Sequence, residues 1–285
     1  MAITVAVGIG LKQVKEASHH VENENFMIQT SVILEDVMQI LKTSQQLNDI
    51  NSSEDFFIFL SQTSFIPLQS NDIRVNIELN SARSKFNVNA LVDSNTTADK
   101  NKVEALKVYL NKQMVNSEYV GILLDNMGGI KEDLSYNSAI FNEKPYLFRD
   151  YIASLRHLNE INSFYEKTYH DNSLKNIDFE KLFYFSSDKN SFIDLNYATP
   201  QTWELILGCD KTRAQQLSLG TGAYTSLNDL GLSDDEKLNM SHFSTSFFEK
   251  FINVTIEIEE NFQNGKIMFE YDINKKKGSN FVYEI

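Results

Sequence analysis

The 285-residue chain is long enough to bury a sizeable core, in one large domain or two modest ones. Its 39 acidic against 26 basic side chains give a formal charge of −13, which argues against nucleic acid or an anionic membrane as the main partner. The single cysteine, Cys209, allows no intrachain disulfide and no thiolate metal cluster; it reads as a small apolar filler at a helix end.

The chain opens with an apolar run of nine residues, Ile3 to Leu11. As a helix rising ~1.5 Å per residue this covers only ~14 Å, under half a bilayer. It reads as the distal part of a longer helix, and no secretory leader with a charged start precedes it. From Leu11 a helix is expected to continue without a breaker to about Leu47. Val14, Ala17, Val21, Ile28, Val32 and Leu41 are expected along one side, with Lys12, Glu16, Glu24 and Glu35 elsewhere. Two readings stay open: a core helix, or a spine whose lower half leaves the globule to pack against other subunits. His19 and His20 lie ~100° apart on such a helix, so they make no shared metal face.

Asn48 to Asp55 is a polar linker, and Phe56 to Leu60 fits either a helix or a strand. Ser64 to Leu68 and Ile73 to Leu79 are expected strands. In the second, Ile73, Val75, Ile77 and Leu79 alternate with Arg74, Asn76 and Glu78, which gives one face to the long helix. Phe86 to Val88 should continue that sheet and Asn89 to Asp93 should leave it. The polar run Ser94 to Asp99 caps a helix from about Lys100 to Met114, with Val103, Leu106, Val108 and Leu110 as its apolar content. Val120 to Met127 predicts another, closed by Gly128-Gly129. Beyond Pro145, Phe148 to Leu155 and Leu158 to Tyr165 read as helical, and Phe179 to Phe185 as a short aromatic helix.

The stretch Phe192 to Leu232 carries the densest local signals. Phe192, Ile193 and Leu195 suit a short strand, Asn196 and Thr199 are candidate caps, and Pro200 fits a first helical turn. Trp203, Ile206 and Leu207 repeat at helical spacing and should be buried together. Gly208 ends that helix, Asp210 caps the next from Lys211 to Leu219, and Gly220-Thr221-Gly222 breaks it before Tyr224, Leu227 and Leu230. This is a helix-hairpin-helix unit, a form that often grips a nucleic-acid backbone through its turn. Here the Gly-Cys-Asp-Lys turn holds one acid and one base, which favours packing over phosphate binding. The C-terminal part returns to strands: Val254, Ile256 and Ile258 alternate with polar neighbours, Asn264-Gly265 is a hairpin signal, Ile267 to Ile273 returns, and Lys275-Lys276-Lys277-Gly278 makes a solvated turn before Phe281 to Ile285.

Several of these pieces, in order, resemble one family. Ile193-Asp194-Leu195-Asn196-Tyr197-Ala198-Thr199 looks like the "N-x-N-T-A" segment of the minor pseudopilin K of type II secretion systems. Gly222 to Leu230 is similar to its "G-x-(Y/F)-x-S-x-x-(D/E)-(L/F)" loop, and Ser244-Thr245-Ser246-Phe247 to its Ser-x-x-Phe strand entry. Lys85 to Leu91 is similar to its first "(I/L)-N-x-N-x-L" strand end. The order and spacing match over most of the chain.

The resemblance implies an α+β fold: a pilin-like long N-terminal helix packed on an antiparallel sheet, formed by 1–93 and 245–285, with a helical (SAM-like, helix-hairpin-helix) domain inserted at 94–244. It implies a structural subunit at the tip of the inner-membrane pseudopilus, with its globular part in the periplasm and a membrane-spanning start that this chain lacks. The partners would be the I- and J-type minor pseudopilins, met through Val14, Ala17, Val21 and Ile28. The family often holds calcium within its insert; the corresponding stretch here offers Asp125, Asn126, Glu132 and Asp133 as oxygen donors. Met127 and Ile130 stand where acids are expected, so a solvated loop is the alternative. No Gly-x-Ser-x-Gly, phosphate-binding glycine loop or His-Glu-x-x-His occurs, so no enzyme activity and no cofactor are expected. Alternatives are a minor subunit of a DNA-uptake or type IV pilus machine and, more distantly, a helix-hairpin-helix DNA-binding module.

Overall fold

The computed structural model describes residues 24–70, 73–260 and 263–284. The fold is α+β, and the described chain divides into two compact units. One comprises the described parts of 1–50, 59–80 and 252–285; the other comprises 51–58 and 81–251.

The first unit is built on a five-stranded sheet in the order Phe65–Ser70, Ile73–Ser81, Phe251–Glu260, Gln263–Asp272, Lys277–Glu284. The outer pairs are antiparallel, with Phe65 opposite Glu78 and Lys266 opposite Glu284. Across the centre Arg74 pairs with Glu259 at 3.3 Å, while the Ala82 N–H donates to the Phe251 carbonyl at 3.0 Å, so these strands also run in opposite directions. Period-two alternation sets the buried face: Val75, Ile77 and Leu79 are buried, as are Val254, Ile256 and Ile258. A helix over 24–43 buries Phe26, Thr30, Val37 and Leu41, which recur at helical spacing. Met38 of this helix approaches the sheet at Gly278, where a Cβ would lie 3.3 Å from the Met38 Sδ and 2.6 Å from the Phe281 ring. A larger residue there would have to displace the ends of both side chains.

Two sequence expectations change here, and one left open between helix and strand is settled. The helix does not run unbroken to Leu47. It stops at residue 43, and Ser44, with an extended backbone, caps a separate turn Gln45–Asn48 by accepting from the Leu47 N–H at 3.3 Å. Phe56 to Leu60 is helix, within Ser53–Thr63, because Asp55 accepts from the Asn51 and Ser52 N–H groups (3.0 Å each) while Ser52 Oγ accepts from the Asp55 N–H. Asn264-Gly265 is not the hairpin turn. It lies inside the strand Gln263–Asp272, whose register is fixed by burying Ile267, Phe269 and Tyr271.

The second unit is mainly helical around one core, in which Trp203, Tyr119, Leu106, Leu110 and Phe164 are buried. Local caps start its helices as expected. Asp99 caps Lys100–Lys112, Thr199 caps Pro200–Leu207, and Asp210 caps Lys211–Ser218, while Gly208 (φ 64°) closes the first hairpin helix. Two expectations fail for one reason. Phe86–Asn87 does not extend the five-stranded sheet but pairs in parallel with Phe183–Tyr184, so the expected aromatic helix ends at Leu182. Residues 148–154 are not helical; the helix is Leu155–Tyr169, capped by Ser154. In both places a buried asparagine side chain ties down the local backbone. Asn87 Nδ2 donates to the Ser186 and Asp188 carbonyls (3.1 and 2.8 Å). Asn89 donates to the Ile152 and Ser186 carbonyls (3.0 and 3.1 Å) and accepts from the Ile152 N–H at 2.7 Å.

Candidate functional site

The expected partner-binding stripe is resolved in part. Val14, Ala17 and Val21 lie outside the described residues. Ile28 is 62% exposed and Val32 52%, whereas Leu41 is buried, so these three do not share one face as expected. The helix turns its Phe26–Thr30–Val37–Leu41 face to the sheet. That leaves Ile28 and Val32, one turn apart, on the outside with the exposed Met27. Among the described residues no helix is long and apolar enough to cross a membrane.

The calcium candidates are not brought together. Asp125 and Asn126 are buried at the end of the helix Glu118–Asp125, while Glu132 and Asp133 are exposed on the loop beyond. The Asp125 carboxylate faces hydrogen-bond donors: it accepts from the N–H and Nδ2 of Asn137 (2.8 Å each) and from the N–H and Oγ of Ser138 (2.8 and 2.7 Å). Four donors are an anion's shell, and they pin the loop's return to the helix. Asn126 donates to the Ile122 carbonyl and meets His157 Nε2 at 3.3 Å. Hydrogen bonds from Ser135, through its side chain and then its N–H, hold the Asp133 carboxyl below the usual range. Among the described residues no group of three or more His, Cys, Asp or Glu is placed to hold a metal.

The hairpin stretch turns its polar groups inward. Lys112 donates to the Gly208 and Cys209 carbonyls at the turn (2.6 and 3.3 Å), the carbonyls a left-handed cap leaves open. Arg213 pairs with Glu236 and donates to the Leu230 and Gly231 carbonyls (2.8 and 2.9 Å). Lys112 and Arg213 are thus engaged within the fold, while Lys211, the turn's own base, is exposed beside Asp210. Asn196 is the centre of the stretch: it donates to the Tyr224 and Phe247 carbonyls (2.9 and 2.6 Å) and accepts from the Tyr224 N–H. Sequence spacing had marked it only as a cap.

Asp194 sits where the second unit's chain enters and leaves. Its N–H donates to the Arg83 carbonyl (2.8 Å), and its carboxylate accepts from the Glu249 and Asn196 N–H groups (3.0 Å each). Burial pushes this carboxyl up to about 7 against those two donors. Burial likewise raises the Cys209 thiol to about 11, with Glu236 adding to it, so the sulfur is kept protonated and unreactive. His157 Nδ1 accepts from the Ala153 N–H at 3.2 Å, which fixes a neutral ring. Asp194 and His157 each join a near partner, Asn196 or Ala153, to a distant one, Glu249 or Asn126, and the distant half leaves no signal in the sequence.

No family model matches the chain, and no curated protein does so either. A solved structure does: the GspK–GspI–GspJ complex of the type 2 secretion system from enterotoxigenic Escherichia coli. The match covers 95% of this chain and 98% of that one, at 14% identity and a TM-score of 0.55. Over nearly its whole length, then, this chain shares its fold with a chain of the GspK–GspI–GspJ complex.

Proposed function

We propose that the chain is a K-type minor pseudopilin, a structural subunit at the tip of a type II secretion pseudopilus that assembles with I- and J-type partners. The observation that carries this reading is the shared fold, which takes in both units instead of one common module. In this reading 1–93 with 245–285 is the pilin-like part and 94–244 the inserted helical domain. The N-terminal helix is the assembly element, held in the inner membrane by a preceding segment, with the rest in the periplasm. The outward apolar strip of Met27, Ile28 and Val32 supports that role, since it adds nothing to the unit's own core.

The test is co-purification with I- and J-type pseudopilins. Ile28→Asp, and Val21→Asp on the sequence pattern, should each weaken association at least ~10-fold, since burying one such side chain is worth about 1.5–3 kcal/mol. Ile28→Asp should leave the circular dichroism spectrum and melting temperature unchanged. Association that survives both substitutions would sink the assembly role of this helix.

A further inference from the structure

Between residues 126 and 151 the helical unit holds exposed apolar side chains on a fixed backbone. Ile130 is 79% exposed, Leu134 74% and Phe148 47%. The Gly129 N–H donates to the Arg149 carbonyl at 2.8 Å, which sets Ile130 and Phe148 beside one backbone contact. The Tyr136 hydroxyl ties the same two segments: it accepts from the Lys131 N–H and from the Arg149 guanidinium, both at 2.9 Å. Asp125 anchors the loop's return through Asn137 and Ser138. Leu134 closes a tight turn with φ 55°, a left-handed backbone that leucine adopts only where its surroundings impose it.

Charge is sorted around the same residues. Lys131 turns its Nζ to the Ser135 carbonyl (2.9 Å), and the Arg149 guanidinium lies 4.0 Å from the centre of the Phe141 ring. Glu132, Asp133 and Asp150 are left facing solvent. The exposed surface is therefore apolar at Ile130, Leu134 and Phe148 and carries Glu132, Asp133 and Asp150, while Lys131 and Arg149 are engaged by the loops' own carbonyl and rings.

We propose that this pair of loops is a docking surface for a protein segment that is both apolar and basic. Anchors already held in place lose little freedom on binding, and the acidic rim steers Lys and Arg toward them. The same rim repels an anionic lipid surface. The inference does not rest on the pseudopilin reading, which concerns the helix of the other unit.

The test titrates the isotope-labelled full chain with a synthetic leucine–lysine amphipathic peptide and follows backbone amide shifts. The shifts should concentrate at 129–136 and 146–151. Ile130→Ser with Phe148→Ser should weaken binding at least ~10-fold, and Glu132→Gln with Asp133→Asn roughly ~3-fold and chiefly at low salt, all at unchanged melting temperature. Leu134→Gly should raise the melting temperature while it weakens binding. Equal binding of a serine–lysine peptide, shifts scattered over other acidic surfaces, stronger binding of phosphatidylglycerol vesicles, or self-association through these residues would each overturn the proposal.

Discussion

In the sheet unit, burial follows a period. Val75, Ile77 and Leu79 on one strand, Val254, Ile256 and Ile258 on the next and Phe26, Val37 and Leu41 on the helix build its core, with Thr30, Thr255, Glu270 and Asp272 as its buried polar side chains. In the helical unit the apolar core is larger, yet Asn87, Asn89, Asp125, Asp194 and Asn196 are buried within it, each bonded to backbone groups of a distant segment. The first kind of core tolerates exchange of one apolar side chain for another, because burial is non-directional. The second depends on single residues whose donors and acceptors match a particular backbone, and losing one leaves several buried groups unpaired.

That contrast can be broken most directly at Asn89. Replacing it by Ala strands the Ile152 N–H and carbonyl and removes one donor from the Ser186 carbonyl. A loss of about 4 kcal/mol is expected at ~1–3 kcal/mol per buried group left unpaired, read by denaturant unfolding. Ile256→Ala in the sheet should cost less, about 3 kcal/mol, as a transfer-plus-cavity loss at a fully buried site. If the sheet variant proves the more damaging, the proposed difference between the units fails.

pH sharpens the comparison at two buried groups of the helical unit. Burial lowers the His157 pKa, and the nearby Glu160 opposes this only in part. The folded state therefore binds this proton less readily than the unfolded one, so stability is full above the ordinary imidazole value of 6.5 and falls as pH drops below it. Asp194 acts the other way. Its carboxyl rises from 3.8 to about 7, so its contribution is present below pH 3.8 and is lost as pH climbs toward 7. Melting temperatures across this range should show the acid-side loss flattened in His157→Gln and the loss toward neutral pH flattened in Asp194→Asn. An unaltered profile in both variants would remove these two groups from the account.

The smallest effect is expected at the solvated turn of the sheet. Lys276 is held at φ 53° with its side chain exposed, so Lys276→Gly should stabilise by about 0.5 kcal/mol through relief of the left-handed backbone. A clear destabilisation would show that the lysine side chain has a partner of its own.

What the sequence determined by itself was whatever depends on near neighbours. The alternation from Ile73 to Leu79 sets a buried strand face. Asp99, Thr199 and Asp210 cap helices through N–H groups two or three residues away, and Gly208 ends one through its own φ. The hairpin stretch was legible for this reason. Its inner role was less so, because Asn196 reaches Tyr224 and Phe247, 28 and 51 residues on.

Tertiary structure decided everything that distant segments compete for. Phe86–Asn87 left the large sheet because Asn87 and Asn89 found better backbone partners at 152 and 186–188. Residues 148–154 gave up a helix to the same asparagine. Asn264-Gly265, a turn in isolation, became strand under a register fixed by Ile267, Phe269 and Tyr271. Ile28 and Leu41, both apolar at positions that suggested one stripe, fell on opposite sides of the boundary between core and surface. A helical pattern carries several candidate faces, and only packing against the sheet selects the one that is buried. Asp125, a fair cation ligand by residue type, became an acceptor for four donors, since its chemistry is set by what surrounds the carboxylate in space.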